Sequence, residues 1–184
     1  MIKTTEIAGL WVPAKALSRH VVSEIPAGSL VLGRASGAVG TPSLGVRFDL
    51  NGFRFLFALT CFHDGRSQPG HAIDVTKAQT GAYLVDVPFT IETDLAAPAR
   101  HYGRQEPAVG ALVVGENGFG LVAHFRPPDS FEHRRVVDVT NWDRLNEDNL
   151  ELEFSTWRLI LEIPDRDPVG LQPFPAPTAG ATSA

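Results

Sequence analysis

The stretch Cys61-Phe62-His63-Asp64-Gly65-Arg66-Ser67-Gln68-Pro69-Gly70-His71-Ala72-Ile73-Asp74 gathers the chain's single cysteine, two of its six histidines and two aspartates. Cys61, His63, Asp64, His71 and Asp74 are all competent ligands for a borderline metal ion such as zinc. The Cys-x-His pair supplies two donors one residue apart, but no Cys-x-x-Cys or His-x-x-x-His follows to complete a set. A cysteine nucleophile would need His63, His101, His124 or His133 to approach Cys61, with a third group orienting the imidazole. A buried cysteine packed as a small hydrophobe, followed by a solvated Gly/Pro-rich loop, accounts for the same residues, and the expectation is that Cys61, His63 and His71 do not converge on a metal.

Other candidates for chemistry are weaker. His124 in Leu-Val-Ala-His-Phe is out of phase with Leu121, Ala123 and Phe125, which puts it on the opposite, solvent-facing side of a strand. His133 reads as part of a charged edge or turn. Glu151 and Glu153 alternate onto one polar face, where solvation explains them, and Glu147/Asp148 is a plain acidic pair. Gly-rich pieces such as LGRASGAVGTPSLG match neither a phosphate-binding loop nor a dinucleotide fingerprint, so no cofactor is expected.

The elements that must position these groups read as strands. Asn51-Gly52 sits between two alternating runs, and both residues tolerate the positive φ of a type I′ turn. A two-residue turn sets Leu50 opposite Phe53, Asp49 opposite Arg54, Phe48 opposite Phe55 and Val46 opposite Phe57. One face is then Val46, Leu50 and four phenylalanines; the other carries an Asp49/Arg54 cross-strand pair. Further strands are expected in AYLVDVPFTIET, in ALVVGENGFGLVAHF with a hairpin loop at Gly115 to Gly118, in RRVVDVT and in RHVVSEIPAGSLVLGRA. In LELEFSTWRLILEI the apolar phase slips from even to odd positions at Ser155-Thr156, which predicts a bulge or sharp bend. At most a short helix, at Asn141 to Asn149, is allowed by the pattern. The fold class is therefore all-β: an antiparallel, jelly-roll-like sandwich or a closed barrel of about 8–10 strands.

At 184 residues the chain suits one domain, expected over residues 1–163. From Pro164 onward five prolines accompany only Val169, Leu171 and Phe174 as sizeable apolar groups. That composition predicts an extended segment, 164–184, outside the core, and makes Leu171 and Phe174, together with Trp142, the candidate partner-binding residues. A formal charge of −5 argues against nucleic-acid and anionic-membrane partners. No apolar run reaches bilayer length and no signal sequence is evident, which favours the cytoplasm or an assembly formed there. A single cysteine rules out an intramolecular disulfide. Three lysines among 16 basic residues, with abundant Ala, Gly and Pro, fit a GC-rich bacterial or phage source.

Gly9-Leu10-Trp11, with Arg158 in TWRLILEI, resembles the first-strand Gly-x-Trp and the late basic residue of lipocalin-type barrels. That resemblance implies an antiparallel barrel holding a small apolar ligand. Three functional readings follow, in order: a non-catalytic protein-interaction or structural assembly module; a lipocalin-like binder; and an enzyme or metal site using the Cys61–Asp74 loop.

Overall fold

The computed structural model describes residues 4–7, 10–33, 43–60, 69–94, 96, 99–103, 106–116, 118–125 and 133–171. In chain order the first strands are β1 (Thr4–Ile7), β2 (Leu10–Pro13), β3 (Leu17–Val21), β4 (Leu30–Gly33), β5 (Ser43–Leu50) and β6 (Phe53–Ala58). Next come β7 (His71–Asp74), β8 (Gly81–Val85), β9 (Phe89–Thr93), β10 (Ala99–His101) and β11 (Leu112–Gly115). β12 (Gly118–Phe125), β13 (His133–Asp138), β14 (Leu150–Phe154), β15 (Trp157–Leu161) and β16 (Val169–Leu171) complete the set. Among the described residues the helical content is two single 3₁₀ turns, Ala14–Ala16 and Val22–Glu24, so the all-β expectation holds.

The hairpin forms as the Asn-Gly pair dictates. Asn51 and Gly52 have φ of 52° and 80°, and the register pairs Leu50 with Phe53, Asp49 with Arg54, Phe48 with Phe55 and Val46 with Phe57. Val46, Phe48 and Phe57 are wholly buried, Leu50 is buried, and Phe55 packs half-buried against them. Phe48 and Phe55 stack at 5.4 Å, and Phe125 meets both edge-on at 6.0 and 5.0 Å. Phe53 departs from the expectation: it sits beside the turn, where the core has ended, and is 54% exposed. The ion pair on the other face is also redirected. Asp49 binds the guanidinium of Arg47, two residues along the same strand, at 2.7 Å, while Arg54 donates to the Ser23 carbonyl at 2.6 Å.

A large sheet runs in the order β10-β14-β11-β12-β7-β6-β5-β4-β8-β3, with β13 added to β12. β11 and the short parallel strand β7 share one edge of β12, and β13 takes the other. β16-β15-β9 form a second sheet, and β1-β2 a two-stranded ribbon. None of these sheets closes on itself among the described residues, so the closed-barrel expectation gives way to a sandwich-like arrangement of open sheets.

The chain passes from the large to the small sheet twice, at Asp86–Pro88 and at Ser155-Thr156. The second passage is the bend predicted from the phase slip. Even-numbered Phe154 and odd-numbered Trp157, Leu159, Leu161 and Ile163 then point into the same core. The second face of the large sheet is covered as well, by two smaller clusters around Val31, Leu56 and Val75 and around Val113, Val122 and Leu145.

Two further stretches depart from expectation. Residues 141–149 form no helix. Asp138, Asn141 and Asn146 each accept, through Oδ1, the backbone N–H two residues ahead, at 2.7, 3.0 and 3.2 Å. Such Asx turns offer the backbone an alternative to helix, and Trp142 and Asn149 take positive φ. β structure also continues past Ile163: β16 pairs Val169 with Leu161 and Leu171 with Leu159, and both apolar side chains are half-buried against the main core.

Candidate functional site

Cys61, His63, Asp64 and Phe174 lie outside the described residues. Of the remaining loop candidates, His71 opens β7 and is brought level with His124 of β12 by the parallel register. Their rings stack at 4.8 Å with 22° between planes. Asp74 is at the far end of β7, where its Oδ1 accepts the Thr76 N–H at 2.8 Å and shapes a turn, so the structure joins His71 to His124 and not to Asp74. His124 is only 8% exposed, against the expectation of a solvent-facing histidine. Alternation did assign it to the face opposite Leu121 and Ala123, but that face is covered too. His101 and His133 are exposed on β10 and β13. Among the described residues no three His, Cys, Asp or Glu side chains gather in one metal-holding group.

The acidic residues of β14 also behave differently from a solvated row. Glu151 is exposed, whereas Glu153 is buried, ion-paired with Arg100 of β10 and accepting the Ala108 N–H at 2.9 Å. Beside it Tyr102 donates its hydroxyl to Glu147 Oε2 at 2.8 Å. Burial, then the hydrogen bond to Glu147 and the negative charges of Glu147 and Glu153, push the Tyr102 hydroxyl far above its ordinary acidity range. A phenol held protonated this firmly donates and does not act as a base. The cluster fastens the segment between β10 and β11 across β14.

A groove of about 740 Å³ lies beside the Asp86–Pro88 passage. The segment from Leu84 to Ile91 lines it together with Phe119, Val139, Thr140 and Trp142, and Gly28 to Leu30. Trp142 is set rigidly: its N–H donates to the Asp138 carbonyl at 2.9 Å, its carbonyl accepts the Asp49 N–H at 3.0 Å, and its indole meets Phe89 at 5.9 Å. Phe119, which also lines the groove, is 47% exposed.

The wall formed by β9 is a sheet edge. The Glu162 N–H donates to the Pro88 carbonyl at 2.9 Å, and β15 pairs Leu161 with Phe89. That phase directs the backbone groups of Thr90 and Glu92 at β15 and those of Phe89, Ile91 and Thr93 away from it. Among the described residues β15 is the one strand that pairs with β9. Phe89 and Ile91 are half-buried on the inner face; Thr90 and Glu92 are exposed on the outer one.

Of the residues singled out from sequence for partner binding, Trp142 lines this groove, while Leu171 lies in β16 on the far side of β15. Phe119, β9 and the groove they form were not singled out; Phe119 alternates with apolar neighbours in a strand, and no local pattern marks which strand ends a sheet. Arg158, matched to the lipocalin motif, is on the exposed face of β15 and binds Glu92 through Nε and Nη2 at 3.1 and 2.9 Å. Among the described residues no helix is long and apolar enough to cross a membrane.

Compared with known protein families, curated proteins and solved structures, the chain matches none.

Proposed function

We propose that the chain is a non-catalytic protein-interaction and assembly module that receives an extended peptide strand along β9. The observation that carries this reading is the coincidence of an outward-facing backbone edge at Phe89, Ile91 and Thr93 with a groove lined by Trp142 and Phe119. Strand addition draws affinity from main-chain hydrogen bonds and specificity from alternate side chains entering a groove. Both requirements meet on one side of β9. A strand bonded to Phe89 and Ile91 directs every second side chain onto their face, towards Trp142. The lining mixes apolar groups such as Phe89, Phe119 and Trp142 with the polar Ser29, Asp86 and Thr140.

A second reading, binding of a small apolar ligand, is favoured by the groove's volume, which falls within the ~300–1,000 Å³ of small-molecule sites. One experiment separates the two. Proline-free peptides with apolar residues at alternate positions are titrated against the protein, with tryptophan fluorescence as the readout, beside a series of fatty acids. Strand addition predicts saturable peptide binding that Phe119→Asp weakens by about tenfold or more, with the unfolding midpoint unchanged because Phe119 is exposed. Binding of the fatty acids and not of the peptides would replace the interaction reading with the ligand one.

A further inference from the structure

Resting on that reading, we infer that the strand received by β9 is the segment 172–184 of a second copy of this chain. β16 is described as far as Leu171. β15 commits the backbone groups of its even-numbered residues to β9, as the Glu162–Pro88 bond fixes, and therefore turns those of Leu159 and Leu161 to β16. Leu171 and Val169 are their bonded partners. The next residue of the chain in phase to bond β15 is Pro173, which has no N–H to give.

The sequence beyond it is Gln172-Pro173-Phe174-Pro175-Ala176-Pro177-Thr178. Prolines at 173, 175 and 177 fall on one parity, and every residue of the other parity keeps its N–H. Extended, such a segment has one edge with no donors and one edge fully equipped. It suits the last strand of a sheet, bonded on one side only, which is where proline is tolerated in sheets. Its donors, at Gln172, Phe174, Ala176 and Thr178, stand at a two-residue spacing. The outward groups of β9, at Phe89, Ile91 and Thr93, share that spacing and can engage three of them in succession.

In an antiparallel pairing, directly bonded residues project their side chains from the same face of the sheet. Phe174 then shares the face of Phe89 and Ile91 and enters the groove beside Trp142. The prolines fall on the outer face, level with the exposed Thr90 and Glu92. One parity rule thus satisfies the donors, the acceptors and the aromatic side chain together. β16 and β9 are the opposite edge strands of the same small sheet, so the chain leaves on the edge away from the groove. Reciprocal exchange between two copies gives a closed two-fold dimer.

The test uses the full chain and a version lacking 172–184, with sedimentation velocity over a range of concentrations and a synthetic peptide of residues 172–184. The full chain is expected to dimerise and the shortened chain to remain monomeric while binding the peptide in trans. Ala176→Pro removes a donor of the bonding parity and is expected to weaken dimerisation by about tenfold or more; Pro175→Ala adds one of the other parity and leaves it within about twofold. Equal effects of these two substitutions, or a shortened chain that still dimerises, would overturn the inference. A full chain that stays monomeric while the peptide binds the shortened one means that the segment closes on its own molecule, which overturns the second-copy assignment. If the shortened chain binds proline-free alternating peptides but not 172–184, the groove keeps its proposed function and only the occupant is wrong; if it binds neither, both fall.

Discussion

Gly28 lies directly beneath the indole of Trp142. A Cβ at residue 28 would stand 2.7 Å from Trp142 Cδ1, and Gly28 has φ of +81°, a conformation that disfavours any side chain. Trp142, itself at φ +58°, is held from the other side by its backbone bonds to Asp49 and Asp138. A shift of the backbone that carries the ring would break them. Gly28→Ala is therefore expected to cost roughly 1–3 kcal/mol from the left-handed backbone and the displaced ring together. Chemical denaturation measures the loss, and a changed tryptophan emission in the native state reports the moved indole. A variant of unchanged stability and emission would remove the argument that this wall of the groove is rigid.

The hairpin gives a contrast between two phenylalanines on one face. Phe48 is wholly buried and touches both Phe55 and Phe125, whereas Phe53 is more than half exposed. Phe48→Ala is expected to destabilise the fold by about 3–5 kcal/mol. Phe53→Ala is expected to change it by less than about 0.5 kcal/mol. Equilibrium unfolding of the two variants side by side checks that burial, and not the shared face alone, sets the cost.

The parts of the fold legible in the sequence were those encoded by neighbours. Asn51-Gly52 specified a turn and, through it, the pairing of six residues on each side; the phase slip at Ser155-Thr156 specified a passage between sheets. Glu153 and His124 were misjudged for a shared reason. Alternation assigns a residue to a face, but whether that face meets water depends on distant segments, here the chain near Ala108 over Glu153 and β7 beside His124. The 141–149 stretch failed as a helix because three Asp and Asn side chains captured the backbone locally. The groove was illegible because it arises from strand order: β9 is an edge only because β8, eight residues earlier, pairs with β4 and β3 instead.

Glu153 and Glu151 make a second matched pair. Glu153→Ala leaves the Ala108 N–H without its acceptor and the Arg100 guanidinium, half exposed, without its partner. Solvent reaching Arg100 moderates the loss, so a cost of roughly 1–3 kcal/mol is expected. Glu151→Ala, on the exposed side of the strand, should stay within about 0.5 kcal/mol. Thermal unfolding distinguishes them, and equal effects would mean that Glu153 is solvated after all.

The Tyr102 hydroxyl predicts how stability changes in alkali. Its folded-state pKa is raised above the ordinary 10.0, first by burial, then by the hydrogen bond to Glu147 and the charges of Glu147 and Glu153. Above pH 10 the unfolded chain releases this proton while the folded chain retains it, so the folded state binds more protons and stability falls as pH rises. Below pH 10 both states hold the proton and the group contributes no slope. Tyr102→Phe removes the titration and with it this component of the alkaline slope, at the cost of one hydrogen bond, about 0.5–1.5 kcal/mol at neutral pH. Denaturant unfolding of the two proteins from pH 8 to pH 11 is expected to give parallel curves up to about pH 10 and converging ones above it. Curves that stay parallel to pH 11 would mean that Tyr102 ionises as easily folded as unfolded, and that its bond to Glu147 does not fasten the loop.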